Sequence, residues 1–446
     1  MRSSLVMIGA IGLASVACGG GASSSGDNAD GGTSANSSGG TGSSGSGNSS
    51  GSGNSSGSGG SGGSSDDGSG GQLGDDGSSG DAASFASMDG AVVNRTDGAT
   101  CTDKCPAPNA GITSGCEKRF LLGVNYAWKN WVADFGGVSA WGETGVSKNE
   151  SAITSDLQTM HAQGVDVIRW WMLQQLEGDA VQFDSSGSPS GVGGTLVADI
   201  QAALTLAAQV GVHYNFTLFS FDDFAPDGTS SGATLHGMSA IATDSGKLAA
   251  LMNIVKTVAQ TVEASPNADR VVSWDVINEP EWVISDTDPY GDPAFSPNSM
   301  YQAITFAQME AFISATVTTL HANSSAPVSV GSAAIKWAQA WSHVDLDYYT
   351  FHMYDWVNQY YPYSNSLASY GVTGKPTVMG EFPLAGLVAV NGNPAAPLGT
   401  MLSTLFSLGY AGAMPWAFND TCCGSFSTDG PAIETFASAH PCITQY

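Results

Sequence analysis

The chain has 446 residues, of which 42% are hydrophobic and 12% charged, and it contains 58 glycines. Lysine and arginine together number 13 against 40 aspartates and glutamates, which gives a formal net charge of −27. This negative balance argues against nucleic acid or an anionic lipid surface as a partner, while an uncharged polymer remains acceptable.

The N-terminal segment, residues 1–18, predicts export. A single basic residue, Arg2, precedes an apolar run that is too short to span a bilayer, as in a secretory signal peptide. Residues 15–18, with the sequence SVAC, resemble the lipobox of bacterial lipoproteins, in which Cys18 would carry the lipid. We therefore expect a cell-envelope lipoprotein that meets a membrane only through this anchor, with plain secretion as the alternative.

Residues 19–84 are mostly glycine and serine, with no lysine or arginine. Such a composition cannot bury a core and predicts a disordered, flexible linker with a reach of about 45 Å. The remaining residues, 85–446, suffice for one large domain compatible with a single barrel, and no second linker follows. We also expect the protein to be a monomer.

Hydrophobic periodicity within this domain predicts alternating strands and helices. The helices are expected at 152–163, 196–210, 248–264, 301–322 and 398–408, and a Pro-, Asp- and Gly-rich loop at 284–298 is expected to shape a cleft rim. Eight strands are expected at 120–128, 165–171, 212–219, 271–277, 328–332, 347–356, 375–381 and 412–418. This order indicates an α/β fold, a (β/α)₈ TIM barrel preceded by the linker.

Two of the predicted strands end in a glutamate. The stretch 271–282 runs from a buried apolar strand into Asn278, Glu279 and Pro280, and the seventh strand ends in Gly380 and Glu381. In a barrel these two acids would face each other across the mouth. A separation of about 5–5.5 Å would suit a retaining glycosidase, in which one acid is protonated and the other is ionised.

These motifs resemble the clan A glycoside hydrolases, and within them family 5, which contains cellulases and endo-β-1,4-mannanases. The resemblance covers nearly all of residues 119–418. It implies that Glu279 is the general acid/base and Glu381 the nucleophile. It also implies that Asn278 hydrogen-bonds the sugar 2-hydroxyl and that Arg169, at the end of the second strand, supports the nucleophile.

The same resemblance implies roles for three further residues. His352 and Tyr354 match the family His-x-Tyr pair at the end of the sixth strand, with Tyr354 donating to the nucleophile. Trp416 matches the tryptophan of the eighth strand that forms the sugar platform. Taken singly, Arg169 could be a structural ion-pair partner, His352 a satisfied interior histidine and Trp416 a core residue. The whole set, however, occurs in the right order at the ends of the right strands.

One departure from the family pattern concerns the third strand, whose end reads LFSFDDFAP and lacks the usual histidine. His213 lies at the start of that strand and is a poor substitute. Either Asp222 or Asp223 fills the corner, or the sugar contact there is different. No His-Glu-x-x-His or calcium-loop pattern occurs, and we expect neither a metal nor another cofactor.

Tryptophans at or just beyond the strand ends are candidates for stacking on pyranose rings, although packing alone would also explain each of them. Trp128 and Trp282 are preferred over Trp131 and Trp171 because residues 125 and 281, close to them in sequence, are polar.

Six cysteines accompany the predicted domain, three at its start and three near its end: Cys101, Cys105, Cys116, Cys422, Cys423 and Cys442. An exported chain favours disulfides over zinc, since no histidine lies at ligand spacing among them. All fifteen pairings remain open. A barrel brings its first and last strands together, so a bridge between the two groups is plausible.

The sequence therefore predicts an exported, retaining endo-β-glycosidase that acts on a β-1,4-linked polysaccharide, mannan or glucan. The motif GVNYAW, the strand that carries Arg169, and the Phe183-Asp184 pair before a glycine-containing turn favour the mannanase-like members. The alternative is a surface lipoprotein that binds polysaccharide on a decayed barrel without cleaving it. That alternative predicts a lost acid, whereas both are present, and a purely structural scaffold would leave the acid pair unexplained.

Overall fold

The computed structural model describes residues 110–114, 117–176 and 178–441. Within these ranges, no helix is long and apolar enough to cross a bilayer. Several features predicted above lie outside the described residues: the signal segment, the linker, and the cysteines Cys18, Cys101, Cys105, Cys116 and Cys442.

Eight parallel strands close into a barrel, which confirms the predicted fold. Each strand pairs with the next along the chain, and the eighth returns to the first through Gly412 opposite Leu121. The residues of the first four strands are all buried, as expected for apolar runs covered on both faces. Barrel strands 1 to 8 are Leu121–Asn125, Val167–Trp171, His213–Ser220, Val271–Asn278, Val328–Ser332, Tyr349–His352, Thr377–Glu381 and Gly412–Ala413.

The α-helices of the described chain surround the barrel and supply most of its crossovers. The predicted helix 196–210 has those bounds and ends at Gly211, whose φ of 92° lies in the left-handed region that glycine adopts without strain. The α-helices are Val146–Ala162, Leu196–Val210, Met238–Ala242, Ser245–Glu263, Phe306–Asn323, Asp355–Asn358, Leu398–Ser407, Phe426–Asp429 and Pro431–Ala439.

Three helix starts differ from the prediction: the helix predicted from residue 248 begins three residues earlier, at Ser245, and two others differ by more. The helix predicted from residue 301 begins at Phe306, because Thr305 and Gln308 form a capping box in which each side chain bonds the other's backbone N–H. The helix predicted from residue 152 begins at Val146, since its first turns are polar and show no apolar periodicity.

Short elements were not predicted because they carry little periodicity. They include the 3₁₀ turns Ser139–Trp141, Gln174–Leu176, Phe221–Phe224, Ala268–Arg270, Pro280–Val283, Ile335–Trp337 and Leu367–Tyr370. Three antiparallel hairpins also occur, formed by Ile112–Ser114 with Glu117–Arg119, Val181–Phe183 with Pro189–Val192, and Gly228–Ser230 with Ala233–Leu235.

The barrel interior is polar beneath the carboxyl ends of its strands. Asn215 donates to the Ser273 hydroxyl at 2.6 Å and to the Tyr348 hydroxyl at 3.1 Å. Further along strand 4, Asp275 accepts a 2.7 Å hydrogen bond from Nε of Arg169. Because buried polar groups must be paired, this network fixes the positions of the side chains beneath the carboxyl ends of the strands.

Candidate active site

The carboxyl ends of the strands bring the two predicted acids together. Glu279 directly follows barrel strand 4, and Glu381 is the last residue of barrel strand 7. One carboxyl oxygen of each acid and one ring nitrogen of His352 all lie within 4.8 Å of one another. This spacing suits a retaining pair, at about 5 Å, and is well short of the roughly 6.5–9.5 Å that an inverting pair needs.

The backbone aims Glu279 by adopting a conformation that is rare outside glycine. Its φ of 50° and ψ of 51° are left-handed, and its N–H donates to the Gly331 carbonyl at 2.6 Å. Pro280 cannot extend the strand ladder and instead begins the turn Pro280–Val283. Such strain costs about 1–3 kcal/mol and persists where the surrounding structure demands it, often at functional sites.

The side chain of Glu279 is 4% exposed and bonded through both oxygens. Nδ1 of His352 lies 2.7 Å from Oε1, and the indole N–H of Trp282 donates to Oε2 at 2.8 Å. Burial raises the pKa of Glu279 to about 8, against the opposing effects of the Trp282 N–H and the charge of Arg169. At neutral pH this carboxyl group is protonated and can supply a proton.

The environment of Glu381 is different because a cation touches it. Nη1 of Arg169 donates to Oε1 at 2.6 Å, and the Tyr354 hydroxyl donates to Oε2 at 2.9 Å. Burial raises the pKa of Glu381, and the charge of Arg169 opposes that rise. Since Arg169 bonds Glu381 and not Glu279, it favours ionisation of Glu381 first.

Arg169 is fully buried and bonds three further side chains. Nε donates to Asp275 at 2.7 Å, Nη1 to Asn125 at 2.8 Å and Nη2 to Asn278 at 2.8 Å. A Cβ on Gly331 would lie 2.8 Å from Nη2, so a side chain there would displace the guanidinium. Because a buried charge is tolerated only when it is paired, these contacts hold Arg169 in one position.

Asn278 shares in this network through its amide oxygen only. That oxygen accepts from Arg169, which turns the amide N–H groups away from the guanidinium. Among the residues that the structure describes, no protein acceptor is bonded to Nδ2 of Asn278. The amide is therefore free to donate to a ligand, and its predicted contact with a sugar hydroxyl stays a prediction.

His352 lies between the two acids and is fully buried. Its Nδ1 is 2.7 Å from Glu279 and 3.5 Å from Glu381, and burial lowers its pKa to about 4, so the ring is neutral at neutral pH. Only glycine fits at position 380, because a Cβ there would clash with the Thr350 methyl group and lie 3.2 Å from the imidazole Nε2.

One aromatic wall of the site, the Trp416 cluster, consists of Trp128, Trp131, Trp171 and Trp416. Trp128 packs edge-on against Trp131, Trp171 and Trp416, with ring centroids 4.5, 5.5 and 6.1 Å away. Tyr354 packs in the same cluster, which therefore lies on the Glu381 side. Trp416 is only 2% exposed and Trp128 is half-buried, so Trp128 offers more surface to a ligand.

A second wall, the Trp282 cluster, consists of Trp282, Trp337 and Trp356. The Trp282 ring lies 5.9 Å from Trp337 at 90° and 5.6 Å from Trp356 at 58°. The Lys336 ammonium lies 3.8 Å from the Trp337 centroid. Because Trp282 bonds Glu279, this end of the wall lies beside that acid, while Trp356 also packs against the cluster of Tyr354 and Trp416.

The preference for Trp128 and Trp282 as sugar contacts was based on two polar neighbours, Asn125 and Glu281. Both neighbours have structural roles. Glu281 is fully buried and accepts from Ser332, the Ala333 N–H and the Trp341 indole. The Asn125 amide donates to backbone carbonyls, including that of Gly380 at 2.9 Å. Their polarity serves the fold, so that reason for the preference was wrong.

The corner at the end of barrel strand 3 is occupied by Asp222. Its Oδ1 accepts from the Tyr301 hydroxyl at 2.7 Å and its Oδ2 from the Gln174 amide at 3.2 Å. Its charge is among those that raise the pKa of Glu279. Asp223 instead caps the following turn by accepting from the Ser220 N–H.

His213 lies at the start of barrel strand 3, as predicted. Its ring is 3.4 Å from Asp166 and 3.3 Å from an Arg270 nitrogen. It therefore belongs to the end of the barrel opposite the acids.

Asp275 is the main residue of the site that the sequence interpretation missed. The signal was present, since Asp275 is an acid inside an apolar strand and Arg169 is a base inside another. Two such charges on buried strands require each other as partners.

Of the predicted disulfide cysteines, Cys422 and Cys423 lie in the described chain, in the loop after barrel strand 8, and neither is a free thiol. Their pairing with the other cysteines stays a prediction.

No protein-family model matches the chain. The sequence is 25% identical over 337 residues to a mannan endo-1,4-β-mannosidase of Mytilus edulis, covering 68% of this chain and 84% of that protein. It is 26% identical over 353 residues to a mannan endo-1,4-β-mannosidase of Cryptopygus antarcticus, covering 70% of this chain and 84% of that protein.

Among solved structures, the fold is similar to the β-mannanase of Mytilus edulis, with a TM-score of 0.59 and 21% identity. That match covers 76% of this chain and 99% of the other. The β-1,4-mannanase of Aplysia kurodai gives a TM-score of 0.60 at 18% identity, covering 77% of this chain and 99% of the other. At these identities the structures support the barrel fold alone.

Proposed function

We propose that this chain, a glycoside hydrolase of the clan A, family 5-like group, is a retaining endo-β-1,4-mannosidase. The observation that carries the proposal is the acid pair: two buried glutamates within 4.8 Å, one bonded by a buried arginine and the other not. That asymmetry favours ionisation of Glu381 over ionisation of Glu279, and a double displacement requires one ionised and one protonated carboxyl group.

In the first step, a carboxylate oxygen of Glu381 attacks the anomeric carbon as the bond to the leaving oxygen breaks. Glu279 transfers its proton to that oxygen, so the leaving chain departs as an alcohol. Arg169 and Tyr354 hold the nucleophile by its two oxygens, which limits its rotation before attack. The product is a glycosyl ester on Glu381.

In the second step, the ionised Glu279 removes a proton from water as the water oxygen attacks the same anomeric carbon. The ester bond breaks and Glu381 leaves as a carboxylate, again paired with Arg169. Two inversions give net retention. Since Glu279 acts as an acid and then as a base, a pKa near 8 lets it serve in both steps near neutral pH.

The relatives support mannan as the proposed substrate, and the aromatic walls support cleavage within the chain. Both curated relatives described above carry a mannan endo-1,4-β-mannosidase name, and each aligns with about two thirds of this chain. In addition, tryptophan walls stand beside both acids, so sugar units could be held on either side of the cleaved bond. A site with such walls on both sides suits cleavage within a chain.

The test is incubation of the protein with a panel of mannans, glucans and xylans, with products resolved by size. We expect a ladder of oligosaccharides from mannan alone. Glu279→Gln and Glu381→Ala should each lower turnover by several orders of magnitude, whereas Glu150→Gln, on an exposed helix face, should not. Binding to mannan without any release of reducing ends would instead favour the non-catalytic alternative.

We further propose that the enzyme is exported and held at the cell envelope by a lipid on Cys18, with residues 19–84 as its tether and disulfides among its six remaining cysteines. Mass spectrometry of the mature protein tests this. A lipid-modified N-terminal cysteine supports the anchor, whereas an unmodified, released protein supports plain secretion.

A further inference from the structure

Trp282 makes a contact that a sugar-stacking platform does not need. Its indole N–H donates to Oε2 of Glu279 at 2.8 Å. We propose that Trp282 is a positioning residue for the acid/base, and that its N–H confines the exchangeable proton to the other oxygen, Oε1. This inference rests on the proposed function, because it assigns a task to Glu279.

The local fold fixes the indole firmly enough for this role. Trp282 lies in the turn Pro280–Val283, and its backbone N–H donates to the Glu279 carbonyl at 3.3 Å. Its ring is held edge-to-face by the fully buried Trp337 and from another side by Trp356. Because the turn and the aromatic contacts constrain both ends of the side chain, the N–H points at one oxygen.

The chemistry of the two partners decides where the proton sits. An indole N–H is a donor only, so the oxygen that it contacts must accept in both protonation states of the carboxyl group. The neutral imidazole of His352, 2.7 Å from Oε1, can accept or donate through Nδ1. The proton of Glu279 therefore leaves from and returns to Oε1.

The same bond influences how readily Glu279 ionises. A hydrogen bond to a carboxylate is stronger than one to the neutral acid, so the Trp282 N–H favours ionisation and opposes burial. Among the groups that lower the pKa of Glu279, Trp282 has the largest effect. Without this N–H the residue would stay protonated for the first step, but at neutral pH a smaller fraction of it would be in the ionised form that the second step needs.

Trp282→Phe tests the proposal because it keeps an aromatic ring and removes the N–H. We expect the alkaline limb of kcat/KM on mannan oligosaccharides to move upward by about one pH unit, since the lost bond favours the ionised acid. We also expect kcat on an activated aryl β-mannoside to fall about tenfold, because that substrate needs little acid but still needs the base.

Trp141→Phe is the matched control. It also removes one indole N–H, but that group donates to the Ser230 carbonyl and not to a carboxylate, and Trp141 belongs to neither tryptophan cluster. Its pH profile should match the wild type.

A platform role alone predicts a different result for Trp282→Phe: a raised KM with an unchanged pH profile, which would overturn the proposal. If Trp282→Phe does not fold, benzothienylalanine at position 282 keeps the two-ring shape with sulfur in place of N–H and gives the same comparison. If the wild type does not cleave mannan, the proposed function is wrong. If the wild type cleaves mannan but the variant without the N–H has the same pH profile, only the role proposed for Trp282 is wrong.

Discussion

Glu279→Gln should stabilise the fold at alkaline pH while abolishing turnover. Burial raises the pKa of Glu279 from its ordinary value of 4.5 to about 8, so the folded chain binds this proton more tightly than the unfolded chain does. Stability is therefore lost as pH rises from about 4.5 and levels off above about 8. The lost stability amounts to at most about 5 kcal/mol, because each pKa unit is worth about 1.4 kcal/mol.

Glutamine suits the same position without titrating. Its amide oxygen can accept from Trp282, and its NH₂ group can donate to Nδ1 of His352, so both contacts of Glu279 are kept. Partial hydration of the ionised glutamate would reduce the full penalty. We therefore expect the variant to be more stable than the wild type by about 2–5 kcal/mol at pH 8.5 and nearly equal to it at pH 4.5.

Urea unfolding of both proteins at a series of pH values measures this difference directly. Glu150→Gln, on an exposed helix face, serves as the control and should parallel the wild type at every pH. The difference in free energy of unfolding between Glu279→Gln and the wild type should grow from pH 4.5 to 8.5, because Glu279 titrates in this range. A difference that stays constant would contradict the raised pKa of Glu279.

Three further predictions concern activity. In wild-type kcat/KM profiles the alkaline limb should fall near pH 8, since Glu279 must be protonated in the first step, and a limb below pH 6 would contradict that assignment. Arg169→Lys should lower kcat/KM by about 10²–10³-fold, because a lysine cannot reach both Asp275 and Glu381 in the same geometry; an activity within threefold of wild type would exclude this role. Tyr354→Phe removes one hydrogen-bond donor from Glu381, so the pKa of Glu381 should rise. The acidic limb of the activity profile should then move to higher pH, and kcat should fall about 10–100-fold. One set of pH profiles measures both effects.

The sequence supports prediction of the barrel because its strands are apolar runs that end in polar residues. Strand 4 illustrates this: Val271–Asn278 is buried throughout, and Pro280 marks its end. The acids at the ends of strands 4 and 7 could be placed at the same mouth because the carboxyl ends of all strands of a closed parallel barrel meet there. Local rules of chain geometry were sufficient for these features.

Other features depend on contacts between distant residues and could not be read from local patterns. Tyr301 donates to Asp222 from a loop 79 positions further along the chain, and no local sequence pattern near either residue indicates this hydrogen bond. The hairpins are too short to show periodicity. By contrast, Trp282 and Glu279 are only three positions apart in one turn. Because Pro280 signals that turn, their contact could have been predicted from the sequence.

The most direct test of the two-glutamate account is the configuration of the first product. Proton NMR of a mannan oligosaccharide digest, recorded before mutarotation, shows which anomer forms first. Acids within 4.8 Å of each other leave no room for a water molecule between the nucleophile and the sugar, so the account predicts that the β-anomer appears first and the α-anomer only later. Initial formation of the α-anomer would mean direct displacement by water and would contradict the assignment of Glu381 as nucleophile.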